Sequence, residues 1–195
     1  MEILNLNCQK GYQAGLEAFL KETLSKGNYD ILLLQEVSDQ IALFVQHPAY
    51  ETIRVFSEEL GRDNELCILY RKGYKLLGQG FKSFAAMRRD PVREFKHPCF
   101  GVLFIDLEIK GERIRFATTH LHSGLDRQVR FRETVLAKEF ILQEAPKTIL
   151  IAGDFNAGFP YEHLALAKVF EPEFLWLTRN CPATLDSRYS KNVGH

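Results

Sequence analysis

The sequence has no net charge to offer: 25 lysines and arginines offset 25 aspartates and glutamates over 195 residues. A chain so balanced exerts no bulk attraction on a nucleic acid or an anionic membrane, so a polyanion must be met by a local patch. It has no apolar run long enough to cross a bilayer. Its start, Met1-Glu2-Ile3-Leu4, lacks the basic-then-apolar order of a secretory leader. The four cysteines, Cys8, Cys67, Cys99 and Cys181, make no C-x-x-C pair, and no N-x-S/T sequon occurs. These absences point away from a disulfide scaffold and towards buried free thiols in a reducing cytoplasm. No repeat, linker or low-complexity stretch divides the chain, which leaves one domain, residues 1–195, long enough for a sizeable core.

Against that background one stretch stands out, residues 148–157, TILIAGDFNA. Thr148-Ile149-Leu150-Ile151 has the β-branched apolar composition of a buried strand. Gly153 can break the strand and let backbone come close to a ligand. Asp154 and Asn156 are two apart, so in extended chain they point the same way and deliver a carboxylate and a carboxamide to one place. That pair suits metal or phosphate chemistry. A strand end closed by an Asx turn is the other reading of the same residues.

Other apolar segments end in the same manner. Residues 2–8 alternate as a first strand and set Asn5 and Asn7 on one face. Residues 29–34, YDILLL, form a continuous apolar strand that runs into Gln35-Glu36-Val37. A carboxylate straight after a buried strand is costly unless it is paired with an arginine or bound to a cation. Strands over 101–109 and 114–119 are joined at Lys110-Gly111-Glu112, and the second leads into His120-Leu121-His122. Two histidines without a third ligand at a recognisable spacing suit acid–base or phosphate-contact roles better than zinc.

Helices are expected over 15–26, 38–46, 126–144 and 162–170. The third shows Leu125, Val129, Leu136 and Phe140 on one face and Arg127, Arg130 and Arg132 on its other sides. Segment 74–80 reads as the hairpin partner of 66–71. Segment 83–96 reads as a loop that gathers Arg88, Arg89, Arg93 and Lys96, a local basic cluster fit for phosphates or simply solvated. Strands that repeatedly end in Asn7, Glu36, His120, Asp154 and Asn156 imply one rim, because strand ends facing one way in a layered α/β fold collect their side chains into a crevice.

With Leu6-Asn7, Gln35-Glu36-Val37, Thr119-His120-Leu121 and Gly153-Asp154-Phe155-Asn156-Ala157 in this order, the sequence resembles the endonuclease/exonuclease/phosphatase superfamily of metal-dependent phosphohydrolases. Ser57–Arg62 (SEELGR), Ile68–Arg71 (ILYR) and Arg93-Glu94 are similar to the deoxyribonuclease branch, and His120-Leu121-His122 to sphingomyelinase-like members. The resemblance implies a two-sheet α/β sandwich with outer helices and an active site at one end. It implies Glu36 as the principal Mg²⁺ ligand, with Mn²⁺ as a substitute and Asn7 beside it. It implies His120 as acid or oxyanion donor, Asp154 as the group that orients or deprotonates water, and Asn156 and Arg93 as phosphate contacts. The substrate expected is a phosphodiester, foremost of DNA or another nucleic acid. A phosphoinositide or sugar-phosphate phosphatase and a sphingomyelinase-like lipase share the fold, and a non-catalytic phosphate-binding or interaction module is the rival of another class. The family pattern closes with a strand bearing Asp and then Ser-Asp-His. This sequence ends Asn192-Val193-Gly194-His195 with neither, so the expectation is a domain incomplete at its C-terminal end and catalytically poor as it stands.

Overall fold

The structure, a computed structural model, describes residues 1–9, 14–55, 65–84, 101–122, 127–157 and 160–175. Two four-stranded mixed sheets face each other. The first contains β1 (Ile3–Asn7), β2 (Ile31–Val37), β3 (Tyr50–Val55) and β4 (Glu65–Arg71) in the order β1-β2-β4-β3. The second contains β5 (Lys75–Ser83), β6 (Gly101–Ile109), β7 (Glu112–His120) and β8 (Thr148–Asp154) in chain order. Helices α1 (Leu16–Lys26) and α2 (Asp39–Phe44) pack with the first sheet, and α3 (Arg127–Leu142) and α4 (Pro160–Phe170) with the second. This is the expected two-sheet sandwich with outer helices.

The alternation of side chains along each strand builds the layers. Leu32 and Leu34 of β2 join Leu16, Leu20 and Leu24 of α1 in the outer cluster of the first sheet. Their neighbours Ile31 and Leu33 turn the other way and meet Leu103, Ile105, Leu107 and Phe116 between the sheets. Val102 and Ala117 face outward again, against Ala137 and Ile141 of α3 and Leu166 and Phe170 of α4. A strand buried on both faces must be apolar throughout, and this explains the unbroken run in β2.

Two expectations are corrected. The segment read as a hairpin partner of β4 is β5, and it pairs with β6. β4 has no free edge, since β2 occupies one side and β3 the other. The turn at Lys72-Gly73 therefore carries the chain from one sheet to the other. In α3 the buried stripe is Arg130, Glu133, Thr134, Ala137 and Ile141, while Phe131 is exposed. Arg127 and Arg132 lie on the solvent side as expected, but Arg130 turns inward and pairs with Glu162.

Candidate active site

The same alternation that fills the space between the sheets carries polar side chains to its end. On β1, Ile3, Asn5 and Asn7 follow one another along the inter-sheet face; on β7, Phe116, Thr118 and His120; on β8, Leu150, Ala152 and Asp154. β1 runs parallel to β2, and β7 to β8, so their C-terminal ends reach the same edge of each sheet. The top rung thus holds Asn7, His120 and Asp154.

Glu36 joins them through a bulge. By strict alternation residue 36 would follow Leu32 and Leu34 towards α1. Between Leu34 and Val37 the register with β4 slips, two intervening residues standing against one, and Glu36 takes a left-handed backbone with φ 52°. An extra residue in one strand re-aims the side chains that follow it. Val37 takes the outward place beside Leu34, and Glu36 is turned to the rim.

The groups then converge. Ligand atoms of Glu36, His120 and Asp154 all lie within 4.8 Å of one another. His120 Nε2 is 3.6 Å from Glu36 Oε1 and 4.0 Å from Asp154 Oδ2. Asn7 sits between the carboxylates and donates from Nδ2 to Glu36 Oε1 at 3.0 Å and to Asp154 Oδ2 at 2.7 Å. Its Oδ1 accepts from the backbone N–H of Gln9 at 2.9 Å. The imidazole of His120 is buried, whereas the side chains of Glu36 and Asp154 keep 21% and 29% of their surface. The cluster is therefore open on its carboxylate side.

Two carboxylates this close repel unless positive charge or N–H donors stand between them. The field is felt by the neighbouring Cys8 thiol, which burial first and the Glu36 charge second push up to about 12. That thiol stays protonated and inert. Two carboxylates side by side and partly open to solvent are donors that hard divalent cations prefer. As placed, Asn7 enters the cluster through its nitrogen, filling the gap where a cation would sit.

At the end of β8 the turn and the site prove to be one structure. Asp154 Oδ1 accepts from the Asn156 backbone N–H at 2.9 Å, and Asn156 adopts φ 47°. Asn156 Nδ2 donates to the Leu121 carbonyl at 2.7 Å, and the Leu121 N–H donates to the Asp154 carbonyl at 2.9 Å. The Asx turn braces the His120 strand end while Asp154 Oδ2 stays in the cluster. Asn156 is thus placed at the rim as a brace between the two strand ends.

Gly153 has a steric reason. A Cβ built there would lie 2.0 Å from the Thr119 carbonyl oxygen and 2.7 Å from its nitrogen. Both are backbone atoms of the adjacent strand, paired directly with Gly153. Gly153→Ala should force β8 away from β7 and part Asp154 from His120. The expected loss is at least the about 1–3 kcal/mol usual for overpacking, read by urea unfolding. An unchanged unfolding midpoint would show that the strands yield freely.

Several participants escaped the sequence reading. Gln35 is fully buried beneath the cluster. Glu133 Oε2 accepts the His122 backbone N–H at 2.8 Å, and Arg130 Nη1 reaches the His122 carbonyl at 3.4 Å, so α3 holds the segment after His120 by its main chain. Arg130 Nε in turn donates to Glu162 of α4 at 2.6 Å. Apolar periodicity gives no signal for such residues. Arg93, with Arg88, Arg89 and Lys96, lies outside the described residues, as does His195.

A model of the endonuclease/exonuclease/phosphatase family matches residues 4–186. No curated protein matches the sequence. Among solved structures the chain is similar to D. rerio TDP2 complexed with single strand DNA product, at 20% identity and a TM-score of 0.65 over 86% of this chain and 63% of that one. It is similar to ANGEL2, a 2',3'-cyclic phosphatase, at 21% and 0.58 over 75% and 45%. It is also similar to an endonuclease/exonuclease/phosphatase from Bacteroides vulgatus, at 16% and 0.65 over 85% and 69%. The chain spans less than two thirds of the TDP2 and ANGEL2 chains, and at these identities the likeness is one of fold.

Proposed function

The chain belongs to the endonuclease/exonuclease/phosphatase family, and on that premise we propose that it is a divalent-cation-dependent hydrolase of phosphoester bonds, foremost a phosphodiesterase or nuclease acting on DNA or another nucleic acid. The observation that carries this is the meeting of Glu36, His120 and Asp154, drawn from both sheets, within 4.8 Å. Glu36 and Asp154 are the carboxylates that hold Mg²⁺ or Mn²⁺, with Asn7 keeping them in place or turning its oxygen to the ion. Such a cation, when bound, supplies charge neutralisation to the phosphoryl oxygens.

Each residue then has a task set by its partners. Asp154 is fixed by Asn156 through one oxygen, and the other, beside the ion, would orient the attacking water. His120, buried and held beside the carboxylates, donates a hydrogen bond or a proton to the phosphoryl group. Asn156 keeps Leu121 in place through one of its two amide hydrogens and has the other for a phosphate oxygen. Arg93 and the basic residues around it meet the phosphate backbone. Nucleic acid is favoured over a lipid headgroup by that arginine cluster and by the fold likeness to TDP2, whose structure holds single strand DNA product. Among the described residues no helix is long and apolar enough to cross a membrane, and the buried thiols of Cys8 and Cys67 suit a reducing cytoplasm.

The test begins with the ion. Millimolar Mg²⁺ or Mn²⁺ should raise the melting temperature, since a ligand at a hundred times its Kd adds about 2.7 kcal/mol to the folded state. Glu36→Gln should abolish the gain. A wild-type melting curve indifferent to both ions rejects the cation site. Hydrolysis of a single-stranded oligonucleotide, a generic phosphodiester and a phosphomonoester, measured side by side, then separates nuclease from phosphatase. Oligonucleotide binding should also weaken steeply with salt.

A further inference from the structure

We infer that Gln35 is a positioning residue, a buried strut that fixes how the two sheets present Glu36 and Asn7 against His120 and Asp154; this rests on reading that cluster as a cation site. The strut lies one rung below the cluster. Gln35 Nε2 donates to Asn5 Oδ1 at 2.9 Å and to Thr118 Oγ1 at 2.7 Å, with the Leu33 carbonyl at 3.2 Å. Asn5 is two residues before Asn7 on β1, and Thr118 two before His120 on β7, so each lies directly beneath its neighbour on the same face. Gln35 itself precedes Glu36. One carboxamide therefore touches three of the four strands that build the site or their immediate supports.

Stability alone does not call for glutamine here. The side chain is fully buried and stands above Leu33 and Phe116. Its two amide hydrogens are offered to three oxygens, while Oε1 has no hydrogen-bond partner among the described residues. A buried acceptor left unmade is a cost that an apolar side chain of the same length would not carry. What the amide achieves is directional. It holds Gln35, the residue before Glu36, by hydrogen bonds to Asn5 beneath Asn7 and to Thr118 beneath His120. It also sets the separation of the two sheets at the site, because it is a cross-sheet side-chain hydrogen bond directly under the cluster.

The experiment uses the double variant Gln35→Met/Thr118→Val, which replaces both ends of the bond by apolar groups of similar size. Unfolding without cation and Mn²⁺ affinity by calorimetric titration are measured in parallel. The expected result is an apo melting temperature close to wild type with Mn²⁺ affinity about 10–100-fold weaker, the range for residues that orient metal ligands from behind. A merely structural role moves the first quantity and spares the second. Should the double variant not fold, Thr118→Val alone is read in the same way, and Thr118→Ser, which keeps the hydroxyl, should restore affinity. Wild-type Mn²⁺ affinity in the folded variant overturns the inference and leaves the cation site standing. Absence of Mn²⁺ binding in the wild-type protein overturns the site itself, and the inference with it.

Discussion

His120→Ala should lower phosphodiester turnover by about 10²–10⁴-fold, the range for a positioned acid–base group, while divalent cation still raises the melting temperature. The two outcomes part because His120 lies on the protein side of the cluster. It is buried, with Nε2 beside one oxygen of each carboxylate, whereas the carboxylates face the opening. Removing the imidazole leaves both carboxylates and Asn7 in place to hold an ion. It takes away the N–H that would meet a phosphoryl oxygen as charge develops there. The loss should fall on kcat more than on KM, as for an interaction made chiefly in the transition state. His120→Asn, which keeps a donor of shorter reach, should recover part of it. If His120→Ala retains wild-type turnover, the histidine is only a packed core residue. If it loses cation binding too, it is a ligand rather than a donor.

How much of this was legible in the sequence depends on which residues do the work. The structure brings Asn7, His120 and Asp154 together at one strand-end rim, and each continues the period-2 pattern of an apolar strand that the sequence shows. Glu36 was placed at a strand end on its chemistry, but the structure puts it inside β2. Only a bulge, which leaves no mark in the residue types, keeps it out of the α1 layer. The pairing expected for the segment of β5 does not form, since both edges of β4 are already filled, one by β2 and the other by β3, the strand just before it. The buried stripe of α3 follows helical spacing, but two of its members are Arg130 and Glu133. A reading that sorts residues by polarity assigns both to solvent. Their partners are a side chain of α4 and the main chain of the segment after β7, and apolar periodicity singles out neither. Gln35 was missed for the same reason, its partners lying on β1 and β7.

The largest stability effect should come from another such pair. Asp106 and Arg115 stand directly opposite each other on β6 and β7, both almost fully buried. Arg115 grips the carboxylate with both arms of its fork, Nε to Oδ1 at 2.7 Å and Nη2 to Oδ2 at 2.9 Å. Its remaining arm, Nη1, donates to the carbonyls of Ile141 at 2.7 Å and Gln143 at 2.9 Å, groups that the end of α3 leaves without helical partners. The guanidinium also lies 3.8 Å over the Phe104 ring, and Arg113 adds a second cation to Asp106. This one side chain fastens α3 to the second sheet. Asp106→Ala leaves the buried guanidinium without its counter-charge and should cost about 3–5 kcal/mol at neutral pH, as breaking buried pairs does. The pH dependence checks the cause. Burial opposes ionisation of Asp106, but the hydrogen bonds and charges of Arg115 and Arg113 outweigh it and hold the carboxyl below its ordinary range. A depressed carboxylate contributes stability above its unfolded pKa of about 3.9 and loses it as pH falls through the lower, folded value. The gap between wild type and Asp106→Ala, measured by urea unfolding from pH 7 downward, should therefore hold to about pH 4 and then narrow. A gap of constant size down to the acid limit would mean that Asp106 acts by packing, and that the ion pair adds nothing to the attachment of α3.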